Sequence, residues 1–93
     1  MAYSDQYTVA MDNAFRVRVR MAIIDAAKDV YTEDPGTVGH EIRADLAKEV
    51  LRFNDMWISA FAFAIAEEGS TGSATDAEIK TAVSSVWNAI AGV

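Results

Sequence analysis

His40 is the only histidine in the chain, and imidazole is the side chain that changes charge nearest neutral pH and most often binds metals. There is no cysteine to join it. A zinc-type site or a nucleophilic triad built on His40 would need unusual partners, so an ordinary boundary histidine at a helix start is expected. Asp25, Asp29 and Glu33 recur every four residues and put three carboxylates on one helix face. Such a stripe suits a hard cation or plain solvent; it has no accompanying glycine-containing ligand loop, which favours solvent. Gly69 and Gly72 sit in a short polar loop that lacks the lysine and spacing of a phosphate cradle. The sequence therefore offers no catalytic, cofactor-binding or metal-binding set.

Charged residues on apolar backgrounds are more informative. Arg16, Arg18 and Arg20 are spaced at i, i+2 and i+4. On a helix, Arg16 and Arg20 share a face with Asp12, and Arg18 points the other way, toward Asp25. They can form local salt bridges worth about 0.3–0.5 kcal/mol each. Alternatively, they pair with acidic groups on another subunit, which makes them a candidate protein interface. Arg43 falls in the apolar face of its helix, beside Leu46, Ala47 and Val50. A buried, unpaired guanidinium is strongly unfavourable. Either it reaches past the helix end into water, or it forms a buried ion pair with Asp12 or Asp25 that fixes helix register.

The whole composition sets limits on these options. The chain has 93 residues and one composition throughout, which predicts a single helical domain over 1–93. A chain this short buries about 60–65% of its unfolded surface. Yet 52% of its residues are apolar, above the roughly 45–50% usual for soluble domains. That excess is either an alanine-rich core or surface that a partner covers. The net charge of −6 disfavours phosphate backbones. From Asp25 onward there are twelve acidic and five basic residues, so the basic triplet stands apart from an acidic remainder. The longest apolar run, Met56 to Ala66, spans 11 residues, well short of the about 20 that cross a membrane. No basic segment precedes an apolar run at the N-terminus, so no signal peptide is expected and a cytoplasmic origin is the default.

Hydrophobic periodicity gives the elements. The segment from about residue 4 to 32 has no Gly or Pro, and Tyr7, Ala10, Ala14, Val17, Met21, Ile24 and Tyr31 follow steps of three and four. Phe15 to Met21 alternates with period two, a strand signal, but helical patterning on both sides favours one long helix. Phe15, Val19 and Ile23 lie on its opposite side, so it is apolar almost all round and is expected to have several neighbours. Pro35 and Gly36 end it. A second helix over about 38–52, opened by Thr37 or Gly39, has Glu41, Asp45, Lys48, Glu49 and Arg52 on one face and Ile42, Leu46, Ala47, Val50 and Leu51 on the other. Asn54 suits the N-cap of a third, over about 55–68, with a strip of small residues at Ser59, Ala62 and Ala66; a continuous helix over 38–68 is the alternative. Gly69 to Ala74 reads as a flexible loop. Thr75 and Glu78 form a capping box for a last helix over about 75–91, which has an apolar stripe of Ile79, Val83, Val86, Trp87, Ile90 and Val93. The expected fold is all-α, a small antiparallel bundle of three to four helices.

The segments Glu33-Asp-Pro, Gly39-His-Glu-Ile-Arg43-Ala-Asp-Leu-Ala47, Val50-Leu51, Thr75-Asp-Ala-Glu-Ile79 and Val86-Trp87-Asn-Ala-Ile-Ala91 together resemble small helical reading frames of tailed bacteriophages, found among virion structural and head-assembly genes. The likeness runs over capping and core residues and transfers no functional residue. It implies a non-enzymatic virion protein of capsid-associated or head–tail connector type, made in the host cytoplasm. Its partners would be itself, as a homo-oligomer, or other virion proteins; no cofactor, membrane or direct nucleic-acid partner is implied. A small adaptor that captures a partner helix is the alternative. The acidic chain is predicted not to retard duplex DNA in a low-salt gel shift; salt-sensitive binding at micromolar protein would overturn this.

Overall fold

The computed structural model describes residues 8–67 and 73–92. Four helices follow a helical turn at 8–11: α1 (Asn13–Thr32), α2 (His40–Arg52), α3 (Asn54–Glu67) and α4 (Asp76–Ala91). Among the described residues there is no strand, and the fold is an all-α bundle in which every pair of these helices is in contact.

The expected first helix is interrupted. Asp12 has extended backbone (φ −68°, ψ 124°), and its carboxylate accepts a hydrogen bond from Phe15 N at 3.0 Å. A short acidic side chain that can satisfy a free N–H stabilises a helix start over a helix interior. The strand-like alternation from Phe15 to Met21 lies wholly within α1. Residues 1–7, including Tyr7, lie outside the described residues.

The turn between α1 and α2 is built by local bonds. Asp34 Oδ1 accepts from Gly36 N at 2.9 Å, and Asp34 O accepts from Thr37 N at 2.9 Å. Gly39 then adopts φ 79° at the N-cap of α2, a left-handed conformation that favours glycine. Helices α2 and α3 are separate elements, divided at Phe53 (φ −115°, ψ 49°). Helix α4 starts as the sequence indicates: Thr75 Oγ1 accepts from Glu78 N at 3.1 Å, and Thr75 N donates to Glu78 Oε1 at 2.9 Å. Of the expected loop before it, residues 68–72 lie outside the described set, as does Val93.

One apolar core runs through the bundle. It takes Phe15, Val19 and Ile23 from α1, Leu46, Ala47 and Val50 from α2, Ile58, Phe61 and Ile65 from α3, and Ile79, Val83 and Trp87 from α4. The Phe61 ring makes tilted contacts with Trp57 (centroids 6.1 Å apart) and Trp87 (5.9 Å), within the favourable range for aromatic pairs. The small-residue strip of α3 lets α1 approach: Ala62 and Ala66 are buried, and Ser59 meets Arg16 of α1. Three expected inward residues instead lie at the surface: Ile42 and Leu51 of α2, and Ile90 of α4. In α4 the buried line runs 79, 83, 87, 91 in steps of four. That row is inclined to the helix axis, so at the last turn Ala91 takes the covered place.

Candidate assembly surface

Helix α1 is apolar on two opposite sides. Phe15, Val19, Ala22, Ile23, Ala26, Ala27 and Val30 face the core. Within α1, the steps of three and four through Ala14, Val17, Met21, Ile24 and Tyr31 therefore fall on the outward side, whereas Ala10 before it is buried. Val17 is 60% and Met21 58% exposed, Tyr31 is exposed and Ile24 half-buried. At 100° per residue, Val17, Met21, Ile24 and Lys28 point directly away from the buried face. Beside them a groove of about 420 Å³ runs between α1 and α4, lined by Val17, Met21 and Ala22 on one side and Ala77 and Lys80 on the other, with Arg18, Asp25 and Asp76.

The three candidate interface arginines are divided by the fold. Arg16 is part-buried and donates to Ser59 Oγ at 2.7 Å and to the Ala10 carbonyl at 3.4 Å. Arg18 donates through Nε to Asp76 Oδ1 at 2.8 Å and through Nη2 to the Ala74 carbonyl, tying α1 to the start of α4. Neither expected local partner is the acceptor: Asp12 caps α1 and Asp25 stays exposed. Arg20 is exposed and lines a second depression of about 360 Å³ with Arg52, Phe53, Asn54, Asp55 and Met56. There the Arg52 guanidinium carbon lies 5.3 Å from the centre of the Phe53 ring, a cation–π contact. Arg16→Gln is expected to lower the thermal midpoint and Arg20→Gln to leave it unchanged; equal shifts in calorimetry would contradict this division. Sequence reasoning missed Ser59 and Asp76 as partners because both lie more than 40 residues from the arginines they meet.

Arg43 is 9% exposed, so it does not reach past the helix end into water, and its bonds go to neither Asp12 nor Asp25. Its partner is Glu33, the C-cap residue of α1, whose Oε1 accepts from Arg43 Nη2 at 2.9 Å and Nε at 3.3 Å. The same oxygen accepts from His40 Nδ1 at 2.8 Å. The correction follows from chain reversal: the turn at Pro35 and Gly36 folds the end of α1 back over the first turn of α2. A carboxylate at a helix C-terminus opposes the helix dipole, and two nitrogen donors compensate for it here. The hydrogen bonds from Arg43 and then His40 hold the Glu33 carboxyl below its ordinary range, against the opposing effect of burial.

A cleft of about 230 Å³ adjoins this pair, lined also by Asp29, Ser84, Trp87 and Asn88. Two of the three carboxylates of the acidic stripe are taken up by cations of the chain, Glu33 by Arg43 and Asp29 through Oδ2 at 2.9 Å from Lys80 Nζ. The hydrogen bond to Asp29 raises the Lys80 pKa. Among the described residues, no group of three or more His, Asp or Glu side chains is placed to hold a metal ion, and no helix is long and apolar enough to cross a membrane.

Compared with known proteins, the chain matches no family model, and neither the curated proteins nor the solved structures give a match.

Proposed function

We propose that this protein is a non-enzymatic assembly protein that binds other subunits through the outer face of α1. The observation that carries the proposal is the exposed apolar row of Val17 and Met21 opposite the face that builds the core. Apolar side chains aligned along a helix surface, and flanked by charges, are the usual material of subunit contacts. The groove adds shape on one flank of the row, and the exposed Arg20 adds charge on the other. The setting we propose is a tailed-phage virion, as a capsid-associated or head–tail connector component, on the strength of the sequence resemblance. The groove between α1 and α4 also favours a second reading, an adaptor that seats a partner's helix.

Sedimentation velocity over a range of concentrations separates the two. An assembly protein of this kind gives a species heavier than the 10.1 kDa chain, whereas an adaptor stays monomeric until its partner is added. The virion setting is tested by peptide mass spectrometry of purified particles. Peptides of this chain in the particle support it; their absence, with abundant chain in the lysate, contradicts it.

A further inference from the structure

We propose that the outer face of α1 is covered by the same face of a second copy, with the two helices antiparallel about a two-fold axis near Met21 and Ile24. The inference rests on the assembly reading above and names the partner and its orientation. Ala14, Val17, Met21, Ile24, Lys28 and Tyr31 alternate steps of three and four along α1, the spacing that keeps one helix seam facing another. Ala14, Val17, Met21, Lys28 and Tyr31 are exposed and Ile24 is half-buried.

Charge fixes the orientation. On the flanks of the outer face, Arg18 and Arg20 lie in the first half of α1, whereas Asp25 lies in the second half, with Lys28 as the sole cation there. A parallel pair would lay basic half on basic half and set the two Lys28 residues together. An antiparallel pair lays basic on acidic twice over, as an isologous contact requires. Arg18 and Asp25 sit on the same flank of the seam and both line the groove beside it, so Arg18, held within its own chain by Asp76 and the Ala74 carbonyl, keeps its positive charge across from Asp25 of the other copy. Within the seam, Met21 meets the second copy's Ile24, and the aliphatic stem of Lys28 covers Val17. Small Ala14 receives Tyr31, so bulk and space are matched at both ends.

Engineered disulfides test this in a chain that has no cysteine of its own. At a rise of 1.5 Å per residue, positions 14 and 31 are about 25 Å apart along one helix, and a disulfide needs Cα atoms about 5.5–6 Å apart. Ala14→Cys and Tyr31→Cys both alter exposed positions, and each variant's fold is checked by its thermal midpoint. Under mild oxidation, the antiparallel seam yields a cross-linked dimer when the two variants are mixed and little from either alone. Cross-linking of Tyr31→Cys with itself would overturn the orientation in favour of a parallel pair. No cross-link from any combination, with wild-type mass still above that of one chain, would overturn this seam while leaving the assembly reading standing. A monomeric wild type at every concentration would overturn both self-association and the seam.

Discussion

Trp87→Ala is expected to lower the free energy of unfolding by about 3–5 kcal/mol, the usual cost of truncating a large buried aromatic. Trp87 is 2% exposed and belongs to the core cluster shared by all four helices. Its ring packs on Phe61, which in turn packs on Trp57, so truncation removes one end of an aromatic row. The side chain also walls the cleft beside Glu33 and Arg43, and its loss would widen that cleft. Total stability for domains of this kind is about 5–15 kcal/mol, so the variant is expected to be partly unfolded at growth temperature. Trp87→Phe separates packing from polarity. Among the described residues the indole Nε1 finds no acceptor, so phenylalanine removes an unsatisfied donor along with some volume and is expected to cost far less. Urea denaturation of both variants checks this; a cost below about 1 kcal/mol for Trp87→Ala would mean that the residue does not anchor the bundle.

The second large effect belongs to Glu33. Glu33→Gln takes the carboxylate away from a guanidinium that is 9% exposed, and breaking one side of a buried pair costs about 3–5 kcal/mol. The Glu33 side chain keeps 24% of its exposure, so a value near about 3 kcal/mol is expected. The sign of the pH dependence follows from the direction of the shift. Glu33 binds its proton less readily folded than unfolded, where its ordinary value is 4.5. Its contribution is therefore fully present above about pH 5 and falls away as the pH drops through the lower folded value. Wild type and Glu33→Gln should accordingly differ most near neutral pH and converge in acid. A constant difference across that range would show that the pair acts through shape alone. The double variant Glu33→Gln, Arg43→Met is expected to recover much of the loss, because an apolar side chain in place of the buried cation needs no carboxylate.

Much of this architecture was legible in the sequence, and the exceptions share physical causes. Helix α4 was plain because two local signals agreed: the Thr75 and Glu78 box at its start, and Ile79, Val83 and Trp87 one turn apart. In α1, periodicity found the helix but could not rank its two apolar faces. Phe15 and Ile23 went inward and Val17 and Met21 outward, a choice made by the partner helices rather than by α1 itself. The break at Asp12 was missed because an interior aspartate reads as tolerable until its carboxylate is seen to cap Phe15 N. Arg43 stood out as a charge on an apolar face, yet its partner lies beyond a chain reversal. His40 and Arg43, one turn apart at the start of α2, were the available sign that this turn looks back onto the Glu-Asp-Pro segment. Arg16 and Arg18 looked spare for a partner because their intramolecular acceptors come from α3 and the start of α4.

The most direct test of the assembly account is the mass of Met21→Glu in solution beside that of the wild type. Met21 is 58% exposed and outside the core cluster, so a carboxylate there leaves the fold intact while placing a desolvated charge in any contact made by the α1 seam. Wild type is expected to scatter light as a species heavier than one chain, and Met21→Glu as 10.1 kDa with an unchanged far-UV circular dichroism spectrum. A variant that keeps the full wild-type mass would contradict it.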